Sequence, residues 1–259
     1  MPFTISHAAA VLPLHSVSKA RLPLAALMIG SMSPDFAYFL PESLAQASRH
    51  NLEGILFFCW PASLVLWLLF VHLIEGPTIE LLPAAWRARV PRSGKTVSPK
   101  ALALASTAVI LGAMTHVAWD AFTHANTPIT AAFPALRAEV FTFRGRAIRV
   151  YLVLQYLSSI VGLLALASWA LKLRRSTPRV RSVHESKSEL SDRMRIGAAL
   201  FAIATSGATA LFSYSGNPAS RFEDRIFHLL IGGMTGWALA WSAVALFLTL
   251  RWRRDAPHA

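Results

Sequence analysis

An all-α fold built into a membrane, an integral helical bundle of about five transmembrane helices plus a buried or re-entrant N-terminal helix, is predicted by three observations. Of 259 residues, 54% are hydrophobic and only 15% are charged, whereas a soluble domain averages about 25% charged residues. Mean hydropathy is +0.47. Long apolar runs recur along the chain, and most of the basic residues sit in the short polar stretches between them.

The first twenty residues, "MPFTISHAAAVLPLHSVSKA", have no positive n-region and are interrupted by Pro2 and Pro13. They do not read as a cleavable signal and are expected to belong to the fold. The stretch 21–40 is apolar for only a dozen or so residues before Pro34 and Asp35 break it. That length suits a buried or re-entrant helix better than a span, which needs about 20 apolar residues. Runs 53–74, 101–122, 150–173, 195–215 and 226–250 meet the requirement, the first with a Pro61 expected to kink it. Residues 1–173 therefore form an N-terminal membrane block, 174–194 a polar basic loop, and 195–259 a C-terminal helix pair with a basic tail. In that pair, Gly232, Gly233, Gly236 and Ala240 predict close helix packing.

The net charge of +12 would suggest nucleic acid in a soluble protein. Here it reads as membrane orientation, so no nucleic-acid partner is expected and the partners are membrane lipids. With five spans, one set of connections carries 9 Lys and Arg and the other 16. The positive-inside rule places the richer set in the cytoplasm. The protein is then expected in the bacterial inner membrane with its N-terminus toward the periplasmic or outer face. The lone Cys59 excludes an intrachain disulfide and thiolate zinc clusters.

The chemistry concentrates in "GAMTHVAWDAFTH", residues 112–124. At i, i+4 and i+8, His116, Asp120 and His124 drift by about 40° per step and share one helix face. Neighbours are about 6 Å apart along the axis and the two histidines about 12 Å. A regular helix therefore suggests two histidine-ligated ions with Asp120 between them, rather than three ligands on one ion. An interfacial polar cluster, a helix contact or a proton relay are the other readings of this triplet. Ionisable groups inside a span are costly, which favours a functional role. His7, Asp35 and His50 have no local reason for their positions, and the five-span topology puts them on the same side as 116–124.

The stretches "MPFTISHAAAVLPL", "LMIGSMSPDFAYF", "HNLEGILFFCWP" and "GAMTHVAWDAFTH" resemble an uncharacterised bacterial family of multipass membrane proteins. Its members begin MPFTxSH and carry a PD and an HxxxDxFTH element. The resemblance covers about the first 165 residues. That family in turn is distantly similar to inner-membrane metal-dependent hydrolases and to the zinc-dependent phospholipase C group. The similarity implies a metal centre in which Asp35, His50, His116 and Asp120 hold one ion. His7 would join Asp120 at a second, and His124 would reach a third or the substrate. The phospholipase pattern closes its site with a later His and Glu. No HxxxE follows His124, and Glu139 is the only nearby carboxylate, so one or two ions are expected rather than three.

A His and Asp set without cysteine suits catalytic zinc, with manganese or iron as substitutes. Asp35 or Asp120 is the expected general base. A site at the membrane face implies a lipid or amphiphilic substrate, a phosphoester first. Arg49, Arg144 and Gln155 are candidate substrate contacts, although phosphate anchoring of a loop and helix–helix hydrogen bonding explain them more simply. The expected function is thus a membrane-embedded metal-dependent hydrolase. The alternative is a transporter or metal-binding membrane protein that uses the same cluster as a binding or relay site.

Overall fold

The computed structural model describes residues 3–40, 50–90, 92–93, 97–143, 145–176, 190–216 and 222–254. Arg49 and Arg144, two of the three candidate substrate contacts, lie outside the described residues, as does most of the loop 174–194.

Five helices are long and apolar enough to cross a membrane: Leu52–Leu81, Pro99–Ala132, Val150–Arg175, Asp192–Gly216 and Asp224–Arg254. Each contains one of the expected apolar runs. On the third, Leu157, Ile160, Val161 and Leu164 are all more than half exposed, an arrangement that hydrocarbon solvates and water would not. The protein is an all-α membrane bundle.

The stretch 21–40 is not a span. It forms an α-helix over Leu24–Met32 followed by a 3-10 helix over Ser33–Phe39. Nine α-helical residues cover about 13.5 Å, too little to cross. The α-helical part is buried, with Ala26 and Leu27 fully enclosed. Pro34 falls in the first turn of the 3-10 segment, where its missing N–H costs least.

Pro61 has the expected consequence in another form. The turn before it, Ile55–Cys59, takes π register. Proline removes one i→i−4 bond, and a widened turn is a common way to absorb that loss. A second π turn runs from Phe70 to Ile74.

The stretch 123–149 is more ordered than a loop. It contains a short helix, Pro128–Ala132, a 3-10 turn, Pro134–Arg137, and an antiparallel hairpin pairing Glu139–Phe143 with Arg146–Arg149. Gly145 at φ 76° takes a left-handed conformation that glycine adopts without strain. The hairpin holds the only β-strands among the described residues.

The chain divides into two compact units. One comprises Met1–Leu68 and Thr96–Arg175, the other Leu69–Lys95 and Ser176–Ala259. In the first, the buried helix Leu24–Met32 crosses Pro99–Thr123 through two glycines. A Cβ on Gly30 would overlap the backbone of Val109, and one on Gly112 would overlap the carbonyl of Leu27. A Cβ on Gly162 would come 2.8 Å from the carbonyl of Ser6, so the third span also touches the N-terminal segment at backbone distance.

In the second unit the expected close packing of the C-terminal pair is present. Gly232 and Gly236 leave no room for a Cβ against the backbone around Thr205 and Thr209. Ser206 Oγ donates to the carbonyl of Gly233 at 2.7 Å, a hydrogen bond between spans of the kind that supplements small-residue packing in a bilayer.

Candidate metal centre

Four stretches of the first unit carry the six predicted ligands. Thr4–Val11 is a 3-10 helix, in which residues i and i+3 eclipse. Thr4 and His7 therefore share a face. The same rule places Asp35 and Tyr38 on one face of Ser33–Phe39. His50 stands just before Asn51, whose side chain accepts from Gly54 N and caps the first span. His116 and Asp120 lie one turn apart on Pro99–Thr123.

The structure brings all six together. Asp120 is the hub. Its Oδ2 lies 3.2 Å from His116 Nε2 and 3.3 Å from His50 Nε2. Its Oδ1 lies 3.7 Å from His7 Nε2 and 3.6 Å from His124 Nδ1. Asp35 Oδ1 closes the figure, 3.6 Å from His116 Nε2 and 3.7 Å from His50 Nε2. Ligands held at about 2.1 Å around a tetrahedral zinc stand about 3.4 Å apart. The four sides of the ring Asp35 Oδ1–His116 Nε2–Asp120 Oδ2–His50 Nε2 bracket that spacing.

The tautomer of His116 supports the same fit. Its Nδ1 lies 2.7 Å from the carbonyl of Ser31, so Nδ1 carries the proton and donates it. In the neutral ring Nε2 then has only a lone pair, and that lone pair faces two carboxylates. A backbone carbonyl on the far nitrogen is the usual support for a ligating histidine. His7 Nε2, His116 Nε2 and Asp120 Oδ1 are all buried with no hydrogen-bond partner. Each orphaned polar atom costs about 1–3 kcal/mol. Three of them converging on one place fit a cation between them.

Charge on the flanking groups agrees. The ring of His7 stacks on His116 with centroids 3.8 Å apart. Burial, reinforced by the neighbouring His116, lowers the His7 pKa to about 4 despite the attraction of Asp120. His7 is thus neutral and able to ligate at pH 7. For Asp35, burial alone would raise the carboxyl. The neighbouring His50 and His116 and the hydrogen bond from Thr4 outweigh it and hold the group below the usual carboxylate range. Thr4 Oγ1 donates to Asp35 Oδ2 at 2.7 Å, which leaves Oδ1 for the centre. Burial disfavours the charged form of His50, yet hydrogen bonds to Asp120 and Asp35 win and raise it to about 9. Without an ion, the His50 proton is therefore the positive charge facing both carboxylates.

His124 differs from the expected regular strip. The helix ends at Thr123, and His124 has extended backbone. Its Nδ1 lies 3.2 Å from the carbonyl of Asp120, so this nitrogen donates there and Nε2 is the atom left for a ligand. The side chain is 36% exposed, and that of His50 is 37% exposed, whereas His7, Asp35, His116 and Asp120 are buried. The cluster is closed on its protein side and open at these two histidines.

Several participants were not singled out from sequence. Thr4 orients Asp35, the Ser31 carbonyl sets His116, and Gly30 and Gly112 allow that carbonyl to approach. Tyr38 is a fourth. Burial, and then the charges of Asp35 and Asp120, push its phenol up to about 12, so it remains a donor. The MPFT stretch was the available signal for Thr4, three residues before His7. Gln155 is buried, and its carbonyl accepts from Ser158 and Ser159. Those serines anchor the third span: Phe3 N donates to Ser159 Oγ and Trp119 Nε1 to Ser158 Oγ, each at 3.1 Å. Glu139 accepts from Thr142 within the hairpin.

Residues 1–246 match a family described as a domain of unknown function, DUF4184. The chain belongs to this family. No curated protein and no solved structure matches it. The DUF4184 region contains all six clustered residues, the first four spans and most of the fifth. It extends well beyond the first 165 residues on which the resemblance was carried.

Proposed function

We propose that this DUF4184 protein is a membrane-embedded metal-dependent hydrolase acting on a lipid or amphiphilic substrate, most simply a phosphoester. The observation that carries the reading is the ring of Asp35, His50, Asp120 and His116, in which His116 Nε2, its other nitrogen held by the Ser31 carbonyl, faces both carboxylates. Zinc is the best match to two imidazoles and two carboxylates, with manganese or iron as substitutes. A bound zinc ion supplies Lewis acidity and brings the pKa of its water near 7.

The chain's own groups supply the remaining functions. Asp35 and His116 are held in place by Thr4 and the Ser31 carbonyl. Asp120 turns Oδ2 toward His50 and His116 and Oδ1 toward His7 and His124, and Oδ1 is the oxygen that takes up a proton when no second ion is bound there. Tyr38 keeps its proton and can donate to a charged oxygen of the substrate. His7 and His124 flank Asp120 Oδ1, and these three are the groups for a second ion, His124 through its outer nitrogen. Substrate enters at the open edge formed by His50 and His124. The distribution of arginines supports a periplasmic-facing site in the bacterial inner membrane.

The relay reading is less well supported. The metal-capable groups found among the described residues are His7, Asp35 and His116, and His50, His116 and Asp120. They share one residue and one location, whereas a transport path needs polar stations through the depth of the bilayer. Metal analysis of the purified chain beside His116→Ala and Asp120→Ala tests the proposal. At least one zinc per wild-type chain and none in either variant is expected, with chelator-sensitive release of product from a panel of phospholipids. Equal metal content in all three proteins, or hydrolysis indifferent to chelator, removes it.

A further inference from the structure

The second unit contains an apolar groove that the hydrolase reading does not use. Its volume is about 240 Å3, and Leu81, Leu190, Met194, Phe201, Val244 and Phe247 line it. These residues come from the end of the first span, the start of the fourth and the last turns of the fifth. Three span ends meeting at one groove place it at the edge of the hydrocarbon layer. A wholly apolar lining at that depth is matched by a hydrocarbon chain.

The rim specifies what that chain is attached to. Arg251 Nη1 lies 3.3 Å from Sδ of Met194, a lining residue. Arg195, next to Met194, is held by its Nε on the carbonyl of Glu80 at 3.2 Å and by Nη1 on Asp192 at 2.8 Å. Arg87 and Arg92 both pair with the one carboxylate of Glu80, at 3.3 and 2.6 Å. Among the described residues, Arg87 and Arg92 share the one carboxylate of Glu80, Arg195 pairs with Asp192, and Arg251, Arg253 and Arg254 end the adjoining helix, so arginines outnumber carboxylates at the rim. An apolar slot under an arginine rim is complementary to a lipid with an anionic headgroup.

We infer that the second unit binds one anionic phospholipid, with an acyl chain in this groove and the headgroup phosphate at the Arg195–Arg251 rim. The groove belongs to the second unit and the inference does not depend on the candidate metal centre. Gly197 also lines the groove, and a Cβ there meets nothing within 4 Å. Gly197→Leu therefore fills the slot without disturbing backbone packing, and Arg251→Gln removes a rim charge.

The test is native mass spectrometry of the full chain from detergent, titrated separately with phosphatidylglycerol, phosphatidylcholine and inorganic phosphate. Phosphatidylglycerol should be retained at one equivalent and at least tenfold more tightly than phosphatidylcholine, with phosphate alone not competing. Arg251→Gln should erase most of the preference between the two lipids. Gly197→Leu should lose retention of both while its helical circular dichroism stays unchanged. Equal retention of the two lipids by the wild type, displacement by phosphate alone, or wild-type binding by Gly197→Leu would overturn the inference.

Discussion

Two helix crossings in this molecule use the same device for different ends. In one unit Gly30 and Gly112 bring Leu24–Met32 onto Pro99–Thr123, and in the other Gly232 and Gly236 bring the last two spans together. At the second crossing the hydroxyls are satisfied: Ser206 by the Gly233 carbonyl and Thr209 by the Thr205 carbonyl. At the first, the same closeness delivers the Ser31 carbonyl to His116 and leaves His116 Nε2 without a partner. Small residues alone therefore mean packing. A site is marked by polar atoms that remain unsatisfied once the packing is complete.

The strongest way to break this comparison is to insert a side chain at each crossing. Gly112→Leu forces the helices apart at a cost of about 3 kcal/mol or more, and should abolish metal retention along with a large fall in Tm. Gly236→Leu should lower Tm comparably yet leave metal stoichiometry intact. A Gly236→Leu protein that loses its metal would show that the two crossings are not functionally distinct.

Within the first crossing, His116→Ala should lose metal altogether, because it removes a vertex shared by Asp35 and Asp120. His124→Ala, whose Nδ1 is turned to a carbonyl, should weaken binding less than tenfold by isothermal titration. The pH dependence follows from His50. Its proton must leave before it can ligate. With the ion-free pKa raised to about 9, zinc affinity should rise about tenfold per pH unit from pH 7 toward 9 and level off above that. His50→Ala should flatten the slope. The smallest of these effects concerns Thr4→Val, which frees Asp35 Oδ2 and should cost about tenfold in metal affinity with little change in Tm.

Much of the fold was legible because a bilayer imposes a simple rule, about 20 apolar residues per crossing. Each of the five runs became a span, and the dozen apolar residues before Pro34 became the short buried helix. The hairpin was not legible. "EVFTF" is too short for its period to stand out beside the spans, and its pairing depends on Gly145 and a turn. The six candidate ligands could be listed from residue type and helical spacing, but their arrangement could not. The helical strip implied equal roles for His116 and His124, whereas the helix ends at Thr123 and turns His124 outward. Ser31 acts through its backbone, so no feature of its side chain announces it.

That last point has a consequence for genetics. The proton on His116 is placed by a carbonyl oxygen that every amino acid possesses. Replacing Ser31 by Ala or Gly cannot delete it, and those two variants should be nearly silent for metal content, whereas larger side chains would overpack this fully buried position. The instruction is written instead in two absent side chains, at Gly30 and Gly112. In a mutational scan these glycines would behave like ligands, although neither can coordinate anything.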